Sequence, residues 1–245
     1  MALRRTRARG RPTSANGASS FHLWWHPDPP PARAVSVDLE ILEPPATPDL
    51  VFWALQVSFA DGIRRFGAGH VGLQWHRSHP GGTAVNWGGY RDGGGELDGT
   101  ESPLGSSTGN PNTRDFRWEP GVVYTLAVRP GLSPGWWRAS IRNRSTGVDQ
   151  VIRELRGGGS HLLAPVVWSE VFAPCDAPPS AVRWSTPALD LVSGARWEPS
   201  GFRATYQSVA DGGCSNTTVF GDGIGVVQRT STERRIAPGR VVPVF

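Results

Sequence analysis

Residues 34–42, Ala34-Val35-Ser36-Val37-Asp38-Leu39-Glu40-Ile41-Leu42, decide the fold class. Val35, Val37, Leu39 and Ile41 fall on one face of an extended chain, and Ser36, Asp38 and Glu40 on the other. That two-residue period is the mark of a half-buried β-strand. Working outward, 51–59 (VFWALQVSF) is apolar on both faces, as in a central strand. Residues 69–76 set Val71, Leu73 and Trp75 against Gly72, Gln74 and His76. The same alternation returns at 122–129 and 136–143, and strands are also expected at 148–155, at 162–172 around Pro165, at 181–185, at 202–209 and at 217–228. The stretch 77–115, mostly Gly, Asn, Ser, Thr and Asp, reads as one long loop, a length usually tied to function or mobility.

The 31 Gly and 22 Pro are spread evenly, which leaves room for short strands and little for helices. Short strands with frequent turns predict an all-β, two-sheet antiparallel β-sandwich with long Gly-rich loops. Residues 1–20 show no periodicity and are expected to be a disordered Arg-rich tail. The sandwich domain is expected over 21–228, and a closing strand or tail over 229–245. The segment after Asp190 could be an appendage, but a Cys175–Cys214 disulfide would tie it to the rest. Such a bridge closes a loop of about 40 residues, worth about 3–4 kcal/mol in the chain-entropy model. Two separate thiols in a reducing compartment are the alternative.

The sequence pI of about 9.8 suggests nucleic acid, but the placement of charge argues against it. All 25 basic residues are arginine, and five of them (Arg4, Arg5, Arg7, Arg9 and Arg11) precede the first acid, Asp28. The remaining 20 face 21 acids, so the body lacks the net positive surface that phosphate recognition needs. No apolar run of about 18 residues is present, so no membrane helix is expected. The Arg4-Arg5 pair lacks the apolar segment of an export signal. A disulfide would favour a secreted or cell-surface setting. Oligomeric state is not legible.

Several runs carry a resemblance: 69–74 (GHVGLQ), 84–90 (AVNWGGY), 110–118 (NPNTRDFRW), 166–176 (VVWSEVFAPCD) and 211–218 (DGGCSNTT). They resemble uncharacterised bacterial proteins related to the concanavalin A-like lectin and glucanase sandwiches. The resemblance implies a concanavalin-like jelly roll and transfers no activity.

These residues suit three chemistries. The first is non-catalytic carbohydrate recognition by a groove of Trp87, Tyr90, Asp92, Arg114, Asp115 and Trp168, in which indoles stack on sugar faces and polar groups hold hydroxyls. It requires exposed, coplanar rings. The second is glycan cleavage. Glu96-x-Asp98-x-x-Glu101 resembles the spacing of concanavalin-like glucanases, which implies Glu96 as nucleophile, Asp98 as helper and Glu101 as acid. Gly99, Thr100 and the preceding Gly93–Gly95 depart from that pattern. The third is a structural or protein-interaction module. His70, His76 and His79 are spaced as weak metal candidates, with Asp92 or Glu96 to complete a site; no cofactor is otherwise implied. Glu170, alone in an apolar strand, needs a partner, and Arg114 is the candidate.

Overall fold

The computed structural model describes residues 7–244; Arg4, Arg5 and Phe245 lie outside the described residues. The strands are β1 (Ser19–His26), β2 (Ala32–Glu43), β3 (Val51–Asp61), β4 (Arg64–Trp75), β5 (Thr83–Arg91), β6 (Thr113–Asp115), β7 (Val123–Pro130) and β8 (Trp136–Asn143). They continue with β9 (Asp149–Arg156), β10 (His161–Val171), β11 (Ala181–Leu191), β12 (Arg196–Trp197), β13 (Gly201–Tyr206), β14 (Thr218–Gly221), β15 (Val226–Arg229) and β16 (Val241–Pro243). The protein is all-β, and its pairings are antiparallel. They join into one continuous 16-stranded sheet that is not closed.

That sheet folds over itself into two layers. One runs β16-β13-β1-β10-β3-β4-β5-β6, and the other β14-β15-β11-β2-β7-β8-β9, with the short β12 on β11. They are joined through one pair, Leu162 of β10 opposite Ala32 of β2. Between the layers lies the core. Val37, Leu39 and Ile41 of β2 meet Trp53, Leu55, Val57 and Phe59 of β3, all essentially inaccessible to water. Burying side chains of this size stabilises by about 1.5–3 kcal/mol each. The opposite face of β3 carries a second, smaller cluster, Phe52 and Ala54 with Val166 and Trp168. The two-faced apolarity of 51–59 thus serves two different surfaces of one strand.

Three sequence expectations change. Residues 77–115 are not one loop, because Thr83–Arg91 forms a strand paired with β4 from end to end. Glycines disguised it, and they are needed for close packing. At Gly69 of the adjoining strand, a Cβ would sit 2.6 Å from Cη2 of Trp87 and 2.7 Å from Cζ of Phe59. Second, 217–228 is a hairpin of β14 and β15. Third, residues 7–18, expected to lack order, lie against the body. Thr13 N donates to Gly212 O at 3.0 Å, Cys175 N to Gly10 O at 2.8 Å, and Arg11 pairs with Asp49 at 3.1 Å. Cys175 and Cys214 form a disulfide.

Candidate active site

The outer face of the first layer is built from three cross-strand rows. Ser20, Glu170, Phe52, Gln74 and Ala84 stand side by side in the first. His22, Trp168, Ala54, Gly72 and Asn86 make the second, and Trp24, Val166, Gln56, His70 and Gly88 the third. Directly opposed residues share a face of a sheet, so these side chains project together, away from the core. Ala54 and Gly72 leave room at the centre for three rings. Phe52 and Trp168 meet edge-on at 4.9 Å, and His70 lies 5.7 Å from Phe52 and 5.9 Å from Trp168. Gly72 tolerates nothing larger, because a Cβ there would sit 1.9 Å from the Trp53 carbonyl oxygen.

A groove of about 590 Å3 runs over this floor, lined among others by Phe52, His70, Gln74, Asn86, Tyr90 and Glu170. It opens into a recess of about 210 Å3 that adds His22, Gln56 and Trp168. Another recess, about 780 Å3, lies beside Trp75, Phe116 and Trp118. One of its carboxylates, Asp115, would be raised by burial alone. Hydrogen bonds from His79 and from the Ser107 hydroxyl and N–H outweigh that and hold it below the usual range.

Glu170 behaves differently. Burial pushes its carboxyl above the usual range, and hydrogen bonds from Asn16 and Ser20 offset part of that rise. Asn16 Nδ2 donates to Oε1 at 2.7 Å, and Ser20 Oγ to the same oxygen at 3.5 Å. Oε2 has no hydrogen-bond partner among the described residues. The expected pairing with Arg114 does not form, because Arg114 sits opposite Val85 on β6. Burial also pushes His70 and His22 down to about 4, so both are neutral imidazoles at ordinary pH. Nδ1 of His70 is buried with no partner among the described residues.

The residues singled out from the sequence scatter. Trp87 is 0% exposed, in the core between the layers, with its Nε1 donating to the Trp137 carbonyl at 3.3 Å. Trp168 is 7% exposed and edge-packed in the ring cluster, while Tyr90, 45% exposed, is on the groove. Asp92 is exposed in the turn after β5, and Arg114 and Asp115 lie on the edge strand β6. Glu96 reaches the groove rim, where Asn112 Nδ2 donates to it at 3.2 Å. Asp98 is solvated and paired with Arg91 at 2.6 Å, and Glu101 is exposed, so the three acids do not share a strand or point inward. His79 bonds Asp115 at 2.9 Å, and His70 is on the floor strand, apart from the turn that holds His76 and His79. Among the described residues, no group of three or more His, Cys, Asp or Glu is disposed to hold a metal. Sequence reasoning missed His22, Gln56 and Asn16. Only their cross-strand neighbours reveal the first two, and nothing local points to the third.

No family model matches the sequence, and no curated protein does. Among solved structures, scytalido-glutamic peptidase with a transition state analog inhibitor is similar at 12% identity, over 90% of this chain and 99% of that chain, with a TM-score of 0.48. SCP-B, a member of the Eqolisin family of peptidases in complex with the tripeptide Ala-Ile-His, matches at 10% identity over the same shares, also at 0.48. Peanut lectin is similar at 12% identity, covering 71% of this chain and 76% of that one, with a TM-score of 0.27. At such identities these likenesses concern the fold alone.

The carbohydrate-binding expectation is corrected by the placement of its aromatic residues. The rings on which the reading depended are not an exposed coplanar platform, since Trp87 is core at 0% exposure and Trp168 is buried at 7%. The glucanase-like alternative fails with the solvated positions of Asp98 and Glu101.

Proposed function

We propose that this chain hydrolyses extended polypeptide segments laid along the groove, with Glu170 as the proton-transfer group. The observation that carries the reading is a half-buried carboxyl on the groove floor whose burial raises its proton affinity. Perturbed acids of this kind mark sites of proton transfer. Peptide hydrolysis is also what the whole-length structural matches carry out by name; the support here is the groove's own residues.

Gln56 and Gln74 each carry an acceptor oxygen and an NH2 donor on the floor, while the Asn86 amide donates to Thr113 Oγ1 at 2.9 Å. That set suits the alternating C=O and N–H groups of an extended peptide. Ionised Glu170 takes a proton from water as the water oxygen bonds to the scissile carbonyl carbon. When the C–N bond breaks, the same proton passes to the departing nitrogen, and the carboxylate is restored. Neutral His70 retains a single N–H, which serves the oxygen that bears negative charge in the intermediate. The Phe52 and Trp168 rings exclude water from one side of the carboxyl, which is also the cause of its raised pKa.

The test is cleavage of a quenched-fluorescent peptide library and of unfolded casein by the disulfide-intact protein between pH 3 and 8. Cleavage by the wild type that Glu170→Gln lowers at least about a hundredfold, with unchanged thermal unfolding, supports the reading. A wild type that cleaves no peptide, or a Glu170→Gln protein as active as its parent, overturns it.

A further inference from the structure

Glu170 depends for its best hydrogen bond on a residue 154 positions away, and the route by which that residue arrives is specific. Asn16 sits in a turn that fixes its amide. Its Oδ1 accepts from Ala18 N at 3.2 Å and from Ser14 Oγ at 2.9 Å, which aims Nδ2 at the Glu170 carboxyl. The single Ser14 hydroxyl proton is shared between Asn16 Oδ1 and Ala18 O, which lies 2.6 Å from Oγ. The segment before this turn is a strap lying across the corner that contains the disulfide. Cys175 N donates to Gly10 O at 2.8 Å, Ser215 N to Arg7 O at 2.8 Å, and Gly10 N to Asp176 Oδ1 at 3.1 Å. Asn216 Nδ2 bonds both Cys175 O at 2.7 Å and Ala8 O at 3.4 Å, and Cys214 N donates to Ser19 Oγ at 2.8 Å. Groups next to both cysteines thus hold both ends of the strap.

We propose that the Cys175–Cys214 disulfide and residues 7–18 form a clamp that holds Asn16 on Glu170, making Asn16 a positioning residue for that carboxyl and making its placement sensitive to reduction. The inference rests on the reading of Glu170 as the proton-transfer group. Opening the bond with an added dithiol gives two thiols while the dithiol becomes its own disulfide. The corner then loses its covalent link, and the strap loses the fixed pair of loops it lies on. An amide N–H donated to a carboxylate favours the ionised form, so losing Asn16 makes Glu170 harder to ionise. His22, His70 and Tyr90 share the recess with Glu170, and His76, His79 and Glu96 line the groove beyond it. None of these belongs to the strap, so they are common to every variant compared.

The experiment follows the Glu170 side-chain carboxyl by carbon-13 NMR titration in the full chain, which requires no catalysis, and runs the peptide assay in parallel. Asn16→Ala is expected to move the Glu170 titration to higher pH and to lower cleavage about tenfold on the acidic limb. Reduction is expected to move the wild type in the same direction and to leave Asn16→Ala where it was. Gly212→Ala tests the clamp with the disulfide intact, since its Cβ would sit 2.2 Å from Ser14 N, and it is expected to mimic Asn16→Ala. A titration shift without any peptide cleavage supports the clamp while overturning the hydrolase reading. Identical titrations of wild type and Asn16→Ala overturn the clamp, whatever the assay gives. A wild type and a Gly212→Ala protein that titrate alike, with reduction also without effect, overturn it too.

Discussion

Two sets of acids in this protein invite opposite conclusions from sequence and from structure. Glu96, Asp98 and Glu101 stand in a spaced cluster that draws the eye, whereas Glu170 is a single letter inside an apolar strand. In the folded chain the cluster lies along a solvated segment, with Asp98 73% exposed at its side chain and paired with Arg91. Glu170 stands on a groove floor beside Phe52, Trp168 and a neutral histidine. The contrast teaches that a carboxyl acquires unusual chemistry from what removes water around it. Spacing along the chain supplies proximity only, and here it does not supply burial.

The sharpest way to break this comparison is to neutralise both sets. Glu170→Gln is expected to remove at least about a hundredfold of peptide cleavage, while the triple change Glu96→Gln, Asp98→Asn, Glu101→Gln leaves it within about twofold; equal losses in the two proteins would end the contrast. Next in size is acid stability. His70 is lowered from 6.5 to about 4 in the folded state, so between those values the unfolded chain binds a proton that the folded chain does not. Stability therefore falls as pH drops through that window, by about 3 kcal/mol for this one residue. Denaturant unfolding at pH 7.5 and pH 4 should show His70→Gln losing less on acidification than its parent. Equal losses would show that the imidazole is not held neutral.

Glu170 acts with the opposite sign. Its raised pKa means that the folded chain holds the proton longer, so its contribution falls as pH rises above the ordinary glutamate value. Glu170→Gln should flatten that part of the stability curve, and an unchanged slope would argue against a buried, perturbed acid. The smallest effect is expected at the exposed pair: Arg91→Ala should change stability by less than about 1 kcal/mol, measured by thermal unfolding.

Much of the frame was legible. The alternation in β2 and the two-sided apolarity of β3 gave the all-β class and the inner core, because a period of two places every second residue in one layer. The strand β5 was hidden, since Gly88 and Gly89 replace the apolar markers that pattern reading needs. The local pattern therefore places Trp87 in a loop, whereas the fold buries it in the core. Glu170 was recognisable as anomalous, but its partner was not. Neutralising a buried charge calls for an arginine, whereas the structure uses an asparagine from a segment that has no pattern at all.

What the sequence determined alone was which residues turn inward, because hydrophobic periodicity acts over a few residues and needs no distant partner. The disulfide partners were also fixed by there being two cysteines, once pairing was granted. What the tertiary structure decided was the groove: which rows of β1, β10, β3 and β4 stand together, and that Asn16 reaches Glu170. These are contacts between segments far apart in the chain, set by strand order and register. Nothing in a local window encodes them, since the same side chains in another register would face the other side of the sheet.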